Sequence, residues 1–280
     1  MEAHMITEQR KQPPAPNLKS RKLFKNWIPP LAVLVLFLCA WQFGLQLLDI
    51  PSYLLPKPTD VMEAARLNME NLQAAALTTA IESLIGFLLS VVFGIAGAIV
   101  LASSRIVERS FYPYVIILQT IPIVAIAPII VIWFGAGMNA IVIITFLMGF
   151  FPMLSNTLIG LRATDRNLRN LFKIYHASRL QTLVRLRLPA ALPYIVGGLK
   201  ISCTLSVIGT IVGEYIAGIG GSQGGLGYAI TMAATRLETP YLFACGLAVS
   251  LLGIVFYLLV SLLAKVLLSS WHESEMKMEK

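Results

Sequence analysis

Apolar runs of about 20 residues recur along this chain, and they leave it few folds. A run of that length matches roughly 30 Å of hydrocarbon at about 1.5 Å per residue, so each reads as a transmembrane helix. Six stand out, at about Trp27–Leu48, Ser83–Ser104, Tyr114–Phe134, Met138–Leu158, Tyr194–Ala217 and Tyr241–Leu268. Pro29 and Pro30 fall in the first turn of the first run, where proline is tolerated. Only 13% of the 280 residues are charged, and 57% are hydrophobic. A soluble domain carries about 25% charged residues. These numbers exclude a soluble globule with an enlarged core. The expected fold is an all-α membrane protein with six transmembrane helices.

The positive charges set an orientation. The net charge of +8 is not spread as a nucleic-acid surface would spread it. Arg10, Lys11, Lys19, Arg21, Lys22 and Lys25 sit in the N-terminal tail, and Arg105 and Arg109 follow the second run. Arg162, Arg166, Arg169, Lys173, Arg179, Arg185 and Arg187 follow the fourth, against one acid, Asp165. The intervening loops are poor in positive charge. The positive-inside rule then places both termini in the cytoplasm. Residues 1–26 are expected to be a disordered basic tail, 27–270 one transmembrane domain and 271–280 a second cytoplasmic tail. The basic tail and first apolar run have the order of a secretory signal. That run is too long for one, however, and no small-x-small cleavage pattern follows it. Pro56-Lys57-Pro58 breaks the chain after the first span, and Thr59 or Asp60 then caps a helix. The ragged apolar stripe from Thr59 to Ala76 predicts an interfacial helix on the outer face. No inverted repeat is visible.

The long basic loop is amphipathic. Leu168, Leu171, Phe172, Tyr175, Leu180, Leu183, Val184 and Leu186 recur at helical spacing, with Arg169, Lys173, Arg179 and Arg185 between them. This pattern predicts short helices lying against a surface. Pro189 and Pro193 are expected to end one helix and start the next. Periodicity alone leaves two readings open: a topogenic loop resting on lipid headgroups, or a docking surface for a soluble partner.

Leu186-Arg187-Leu188-Pro189 and Ala177-Ser178-Arg179 resemble the EAA loop in permeases of bacterial ATP-binding-cassette importers. Asn170, Leu171 and Phe172 stand where that loop has Glu-Ala-Ala, and His176 stands where it usually has glycine. His176 thus replaces the residue on which the tight turn usually depends, and the missing Glu removes one salt bridge with the motor. The docking helix survives both changes. Further pieces resemble the nitrate/sulfonate/taurine/bicarbonate branch of these permeases, which also includes importers of thiamine pyrimidine precursors and riboflavin. They are Leu55-Pro56-Lys57-Pro58, the segment from Pro122 to Pro128, Trp133 to Gly137, Phe151-Pro152 with Asn156 and Gly160, Pro189 to Tyr194, Gly213-Glu214 and Gly225 to Tyr228. They follow in the family's order from about Leu55 to Ala264.

The resemblance implies the type I importer architecture, with 27–270 as the permease domain and a coupling loop at about 162–189. In that loop Asn170, Leu171, Phe172, His176, Ala177, Ser178, Arg179, Leu188 and Pro189 would meet the ATPase. The implied assembly sits in the inner membrane. It pairs this chain with a second permease copy (a homodimer), two ATPase subunits that bind ATP and Mg, and an extracytoplasmic binding protein that delivers a small solute. No Gly-x-x-x-x-Gly-Lys-Ser/Thr phosphate loop is present, so this chain is expected to be no enzyme and to hold no cofactor. Trp271-His272-Glu273-Ser274 and the run at Gly198 resemble the vitamin-precursor members.

Candidates for the solute path or gate are Pro122, Pro128, Lys200, Glu214, Gly225 and Gly227. Ionisable groups near spans are functional-site hypotheses by default. Lys200 lies roughly 10 Å into the fifth span at about 1.5 Å per residue, where it either snorkels or lines a path. Glu214 is either an interfacial carboxylate or a gate or tether at the outer mouth, and Glu82 is expected to be solvated at the interface. The Gly218–Gly227 stretch is a flexible outer loop or, preferably, a re-entrant segment. The prolines kink the third span for packing or for the pathway. Cys39, Cys203 and Cys245 read as small buried hydrophobes. His4, His176 and His272 are too scattered for a metal site. No nucleophile–base pair or paired intramembrane carboxylates suggest hydrolysis. An ion-coupled carrier and a non-transporting scaffold or sensor subunit remain as alternatives.

Overall fold

The computed structural model describes residues 18–218 and 224–275, with side chains over 28–218 and 224–266. Most of the basic N-terminal tail, the centre of the Gly-rich stretch and the side chains of Trp271 to Ser274 lie outside the described residues. The helices are α1 (Leu18–Leu47), α2 (Pro58–Leu67), α3 (Met69–Ser103), α4 (Arg105–Thr120) and α5 (Ile123–Phe134). They continue as α6 (Met138–Arg162), α7 (Arg166–Ile174), α8 (Arg179–Thr182), α9 (Leu188–Ala217), α10 (Leu226–Thr235) and α11 (Thr239–Glu275). Among the described residues, five stretches are long and apolar enough to cross a membrane: Ile28–Leu47, Met69–Ser103, Met138–Arg162, Arg179–Ala217 and Thr239–Val266. The pair α4 and α5 makes a sixth if counted together.

Several boundaries differ from the sequence expectation: α1 begins at Leu18 inside the expected tail, α11 runs on to Glu275, and three further differences have a clear local cause. The span expected at Tyr114–Phe134 starts nine residues earlier, at Arg105, and is not one kinked helix: α4 and α5 meet at 96°. Ile121 (φ −71°, ψ 123°) and Pro122 (φ −61°, ψ 121°) are both extended. Proline disfavours the helical region for the residue before it and has no N–H of its own, so the chain turns there. Pro128 lies within α5. The interfacial helix expected to reach Ala76 closes at Leu67 instead, and Met69–Ala76 forms the first turns of α3. Asn68 makes that break: it leaves the helical region (φ −110°, ψ 24°), and its Nδ2 donates to Ala64 O at 3.0 Å. Finally, Pro189 and Pro193 do not separate two helices. A π-helical turn at Leu183–Arg187 joins α8 to α9, with Leu188 N donating to Leu183 O. The wider turn shifts the bonding register just before Pro189, where an ordinary helix would need the missing N–H.

The core is the bundle of α3, α6 and α9. Hydrocarbon gives helices no hydrophobic reason to associate, so small residues and interhelical hydrogen bonds do this work. A Cβ on Gly149 of α6 would lie 2.7 Å from Ser90 Oγ and 2.8 Å from Ser206 Oγ, so only glycine permits this approach. Ser202 Oγ donates to Gly149 O at 2.7 Å and Ser90 Oγ to Phe146 O at 2.8 Å. Toward the basic loop, Met153, Leu154, Leu158 and Leu161 pack with Ala98, Leu101, Ala191 and Ile195. The outer helices α1 and α11 are different. Only 6% and 11% of their apolar windows are buried, so their side chains face lipid or another protein.

The bundle has two ends. At one, Gly137 N donates to Ala217 O at 2.7 Å, tying the α5–α6 turn to the end of α9. At the other, Arg187 Nε and Nη1 donate to Leu161 O and Ala102 O, each at 3.1 Å, joining α6 and α3 to the π turn.

Candidate functional site

The basic loop folds as a helix, a turn and a second helix. Asp165 opens α7 by accepting from Asn167 N at 2.5 Å. The helix closes in a Schellman arrangement, with His176 N donating to Lys173 O at 3.0 Å and Ala177 N to Phe172 O at 2.9 Å. His176 occupies the left-handed position with φ 52°. The turn that glycine usually makes is therefore retained with histidine in its place. Ser178 and Gln181 then form a capping box at the start of α8: Gln181 N donates to Ser178 Oγ at 3.2 Å, and Ser178 N to Gln181 Oε1 at 2.8 Å. The Ser-x-x-Gln spacing was readable in the sequence but was missed there.

Asn170, Leu171, His176, Ser178 and Arg179 are exposed, and Phe172, Ala177, Leu188 and Pro189 are half-buried. Ile174 and Tyr175 are 72% and 77% exposed. Leu171, Phe172, Tyr175, Ala177, Gln181 and Arg185 line an open recess of about 360 Å³. A rigid turn thus presents apolar side chains set among cations. Leu188 and Pro189 lie beyond the recess, at the entry to α9.

At the other end, Glu214 is 1% exposed rather than solvated. Thr79 Oγ1 of α3 donates to Glu214 Oε1 at 2.6 Å, and Gly227 N of α10 donates to Oε2 at 2.5 Å. Leu226 N in turn donates to Thr79 Oγ1 at 2.8 Å. One carboxylate and one hydroxyl therefore hold the start of α10 against α9 and α3. The glycines follow from this geometry: a Cβ on Gly225 would collide with the Glu214 carboxyl, and one on Gly227 would lie 2.7 Å from Ile211 O. Glu82 corrects the sequence reading. It is 4% exposed, its carboxyl neighbours that of Glu214, and its Oε2 has no hydrogen-bond partner among the described residues. The two carboxyls are thus paired within the bundle, where the sequence suggested no such pair. Among the described residues neither has a basic partner. The polar seam continues through Ser83 Oγ to Thr210 Oγ1 and from there to Thr145 Oγ1, each at 2.9 Å. Thr79, Glu82, Ser83, Gly86 and Ser90 share one face of α3, a stripe the sequence carries at spacings of three and four.

The other candidates are not gathered here. Lys200 is half-buried on α9, roughly 18 Å from Leu188 at about 1.5 Å per residue, deeper than the sequence suggested. Pro122 and Pro128 are exposed on or beside α5. The described residues contain no group of three or more His, Cys, Asp or Glu that could hold a metal ion.

Residues 90–269 match the family described as binding-protein-dependent transport system inner membrane component. This chain belongs to that family. It is a multi-pass membrane protein and the permease subunit of an ATP-binding-cassette importer, which leaves the ion-coupled carrier and scaffold readings without support. The formylaminopyrimidine transport permease protein ThiX of Halalkalibacterium halodurans is 35% identical over 250 residues, covering 89% of this chain and 97% of ThiX. The riboflavin transport system permease protein RibX of Chloroflexus aurantiacus is 34% identical over 267 residues, covering 93% and 96%. Among solved structures, the inward-facing MetNI methionine ABC transporter superposes with TM-score 0.60 at 17% identity, over 72% of this chain and 97% of that one. The all-α, multi-span importer permease fold expected from the sequence is therefore the fold of this family member. The family match takes in the basic loop, Glu214 with Gly225 and Gly227, and most of the α3–α6–α9 bundle, while Thr79 and Glu82 precede it.

Proposed function

We propose that this permease moves a small heteroaromatic vitamin precursor inward by alternating access, driven by separate ATPase subunits. The observation that carries the docking assignment is the turn at His176. The loop keeps a glycine-type turn and a capped second helix, and it exposes apolar and cationic side chains together. A loop that merely rested on headgroups would not need so fixed a shape. On this reading Asn170, Leu171, Phe172, His176, Ala177, Ser178 and Arg179 meet the ATPase, while Leu188 and Pro189 pass its movement into α9. Two ATPase copies bind ATP and Mg, a second copy of this chain completes the pathway, and an external binding protein delivers the solute. The loop end and both termini then face the cytoplasm. The Glu214–Thr79–Gly227 contact lies at the outer mouth, where it gates or tethers α10. Lys200, Pro122, Pro128 and Gly225 complete the path and gate assignment.

The vitamin-precursor class is favoured because two relatives more than 30% identical to this chain, ThiX and RibX, are named for the transport of heterocycles. The sulfonate and nitrate permeases are 28% and 27% identical.

Copurification tests the reading. With a C-terminal tag and mild detergent, the wild-type chain is expected to retain an ATPase that carries a phosphate-binding loop. Arg179→Glu, which reverses a charge on the exposed start of α8, is expected to lose it. A chain that emerges intact and without a partner from both preparations would count against the proposal.

A further inference from the structure

The loop end of the bundle holds a second feature, separate from the recess assigned to the ATPase. A cavity of about 500 Å³ lies between the first turns of α4, the end of α6, α7 and the π turn, and Arg105, Arg109, Arg162, Arg169 and Arg187 line it with Glu108. Glu108 is taken up in an ion pair with Arg162, which also lies over the Tyr112 ring with its guanidinium carbon 5.3 Å from the centroid. Arg105, Arg109, Arg169 and Arg187 have no carboxylate in ion-pair range among the described residues. Arg187 lines the cavity with two of its five donors held on the carbonyls of Leu161 and Ala102. The wall also includes the start of α4, which Ser104 caps by accepting from Ile106 N at 3.2 Å. A helix start adds partial positive charge.

We infer that this cavity is a binding site for a phosphoryl group. Four uncompensated guanidiniums around one cavity repel each other, and an anion among them relieves that repulsion. Guanidinium forks match the oxygen geometry of phosphate, bonding it in pairs. The cavity exceeds what a bare phosphate needs and falls within the usual span of roughly 300–1,000 Å³ for ligand pockets. It also lies at the ends of the membrane-crossing helices α3 and α6. A glycerophosphate headgroup and a free phosphate share this recognition chemistry. A basic pocket between transmembrane helices is suited to the headgroup. The chain alone binds the phosphoryl group, whatever solute it moves and whichever ATPase it meets.

The full-length chain, purified in mild detergent, is titrated with phosphatidylglycerol and followed by native mass spectrometry. Separately, it is titrated with inorganic phosphate and followed by its thermal midpoint. The double substitution Arg109→Gln with Arg169→Gln removes two cavity charges. Arg166→Gln with Lys173→Gln removes two loop charges that do not line it. The expected result is one retained lipid or phosphate per wild-type chain, weakened about tenfold in the first pair and little changed in the second. Retained phosphatidylglycerol without a response to phosphate assigns the headgroup. A response to phosphate that also displaces the lipid assigns the free anion. If the wild-type chain binds neither, or both pairs weaken binding equally, the cationic end is a diffuse charged surface and the site does not exist. Should the Arg109/Arg169 pair fail to fold, Arg109→Gln alone, with the wild-type titrations, still decides the matter.

Discussion

Thr79 and Glu214 depend on each other through atoms, not through general burial. Thr79 Oγ1 donates a hydrogen bond to Glu214 Oε1 and accepts one from Leu226 N, so one hydroxyl serves both partners. Valine has nearly the same shape but can do neither. Thr79→Val would leave a buried carboxylate oxygen and a buried N–H short of a partner, at about 1–3 kcal/mol each. The expected outcome is a clear fall in the thermal midpoint of the detergent-solubilised chain, and Thr79→Ser should recover much of it. A second pair of variants separates crowding from helix propensity. A Cβ on Gly149 meets two serine hydroxyls, whereas a Cβ on Gly197 of α9 meets nothing within 4 Å. Gly149→Ala should therefore destabilise by about 1–3 kcal/mol through overpacking. Gly197→Ala should be neutral or stabilise by about 0.5–1 kcal/mol, as expected for alanine in a helix. The same thermal melts check both, and equal effects would contradict the packing described here. At this scale the sequence was half legible. Glu214 beside glycines could be singled out, but Thr79 lies 135 residues away. Glu82 looked interfacial only because the span was expected to begin at Ser83. Once α3 starts at Met69, the same residue is inside.

The basic loop shows how an element keeps its shape after losing the residue that usually secures it. His176 holds φ at 52°, a region that costs little for glycine and most for β-branched residues. His176→Gly is therefore expected to keep the turn and retain the ATPase in copurification. His176→Val should strain the turn by about 1–3 kcal/mol and reduce recovery of the partner. If Val and Gly behaved alike, the left-handed turn would have no part in docking. Periodicity found the amphipathic helices of this loop but could not show what followed them. Pro189 read as a helix breaker because the rule assumes ordinary helical bonding. The π turn from Leu183 to Arg187 changes that register, so the helix runs on to Ala217. Pro122 misled in the opposite direction. It was expected to kink a span, but with the extended Ile121 it divides that span at 96°. Local propensity names these positions, while neighbouring helices decide whether the chain bends, breaks or continues.

Over the whole molecule, the two sites sit at opposite ends of the same rods. α9 joins the loop through the π turn at one end and carries Glu214 three residues from its other end. α3 carries Thr79 and Glu82 at the Glu214 end, and its Ala102 carbonyl is bonded to Arg187 beside the loop. Helices packed through glycines and serines move as a block more readily than they deform, because dense interfaces resist continuous change. Motion imposed at the loop should then reach the Glu214 contact as a making or breaking of discrete hydrogen bonds. Glu214→Gln keeps the side-chain size but replaces one of the two acceptor oxygens with an NH2 group, so the side chain can no longer accept from both Thr79 Oγ1 and Gly227 N. The variant is expected to keep its ATPase in copurification, since the change lies at the far end. Stimulation of ATP hydrolysis by the loaded binding protein should nevertheless fall by about tenfold, equivalent to about 1.4 kcal/mol of lost coupling. Arg179→Glu should lose both the partner and the stimulation. Combining Glu214→Gln with the milder Arg179→Gln in reconstituted vesicles gives a double-mutant cycle. Independent ends would give additive losses, and a shared two-state bundle would give losses that fall short of the sum. Strict additivity, with the partner retained throughout, would mean that the two ends act independently, and undiminished stimulation in Glu214→Gln would mean that the contact tethers α10 without taking part in the transport cycle.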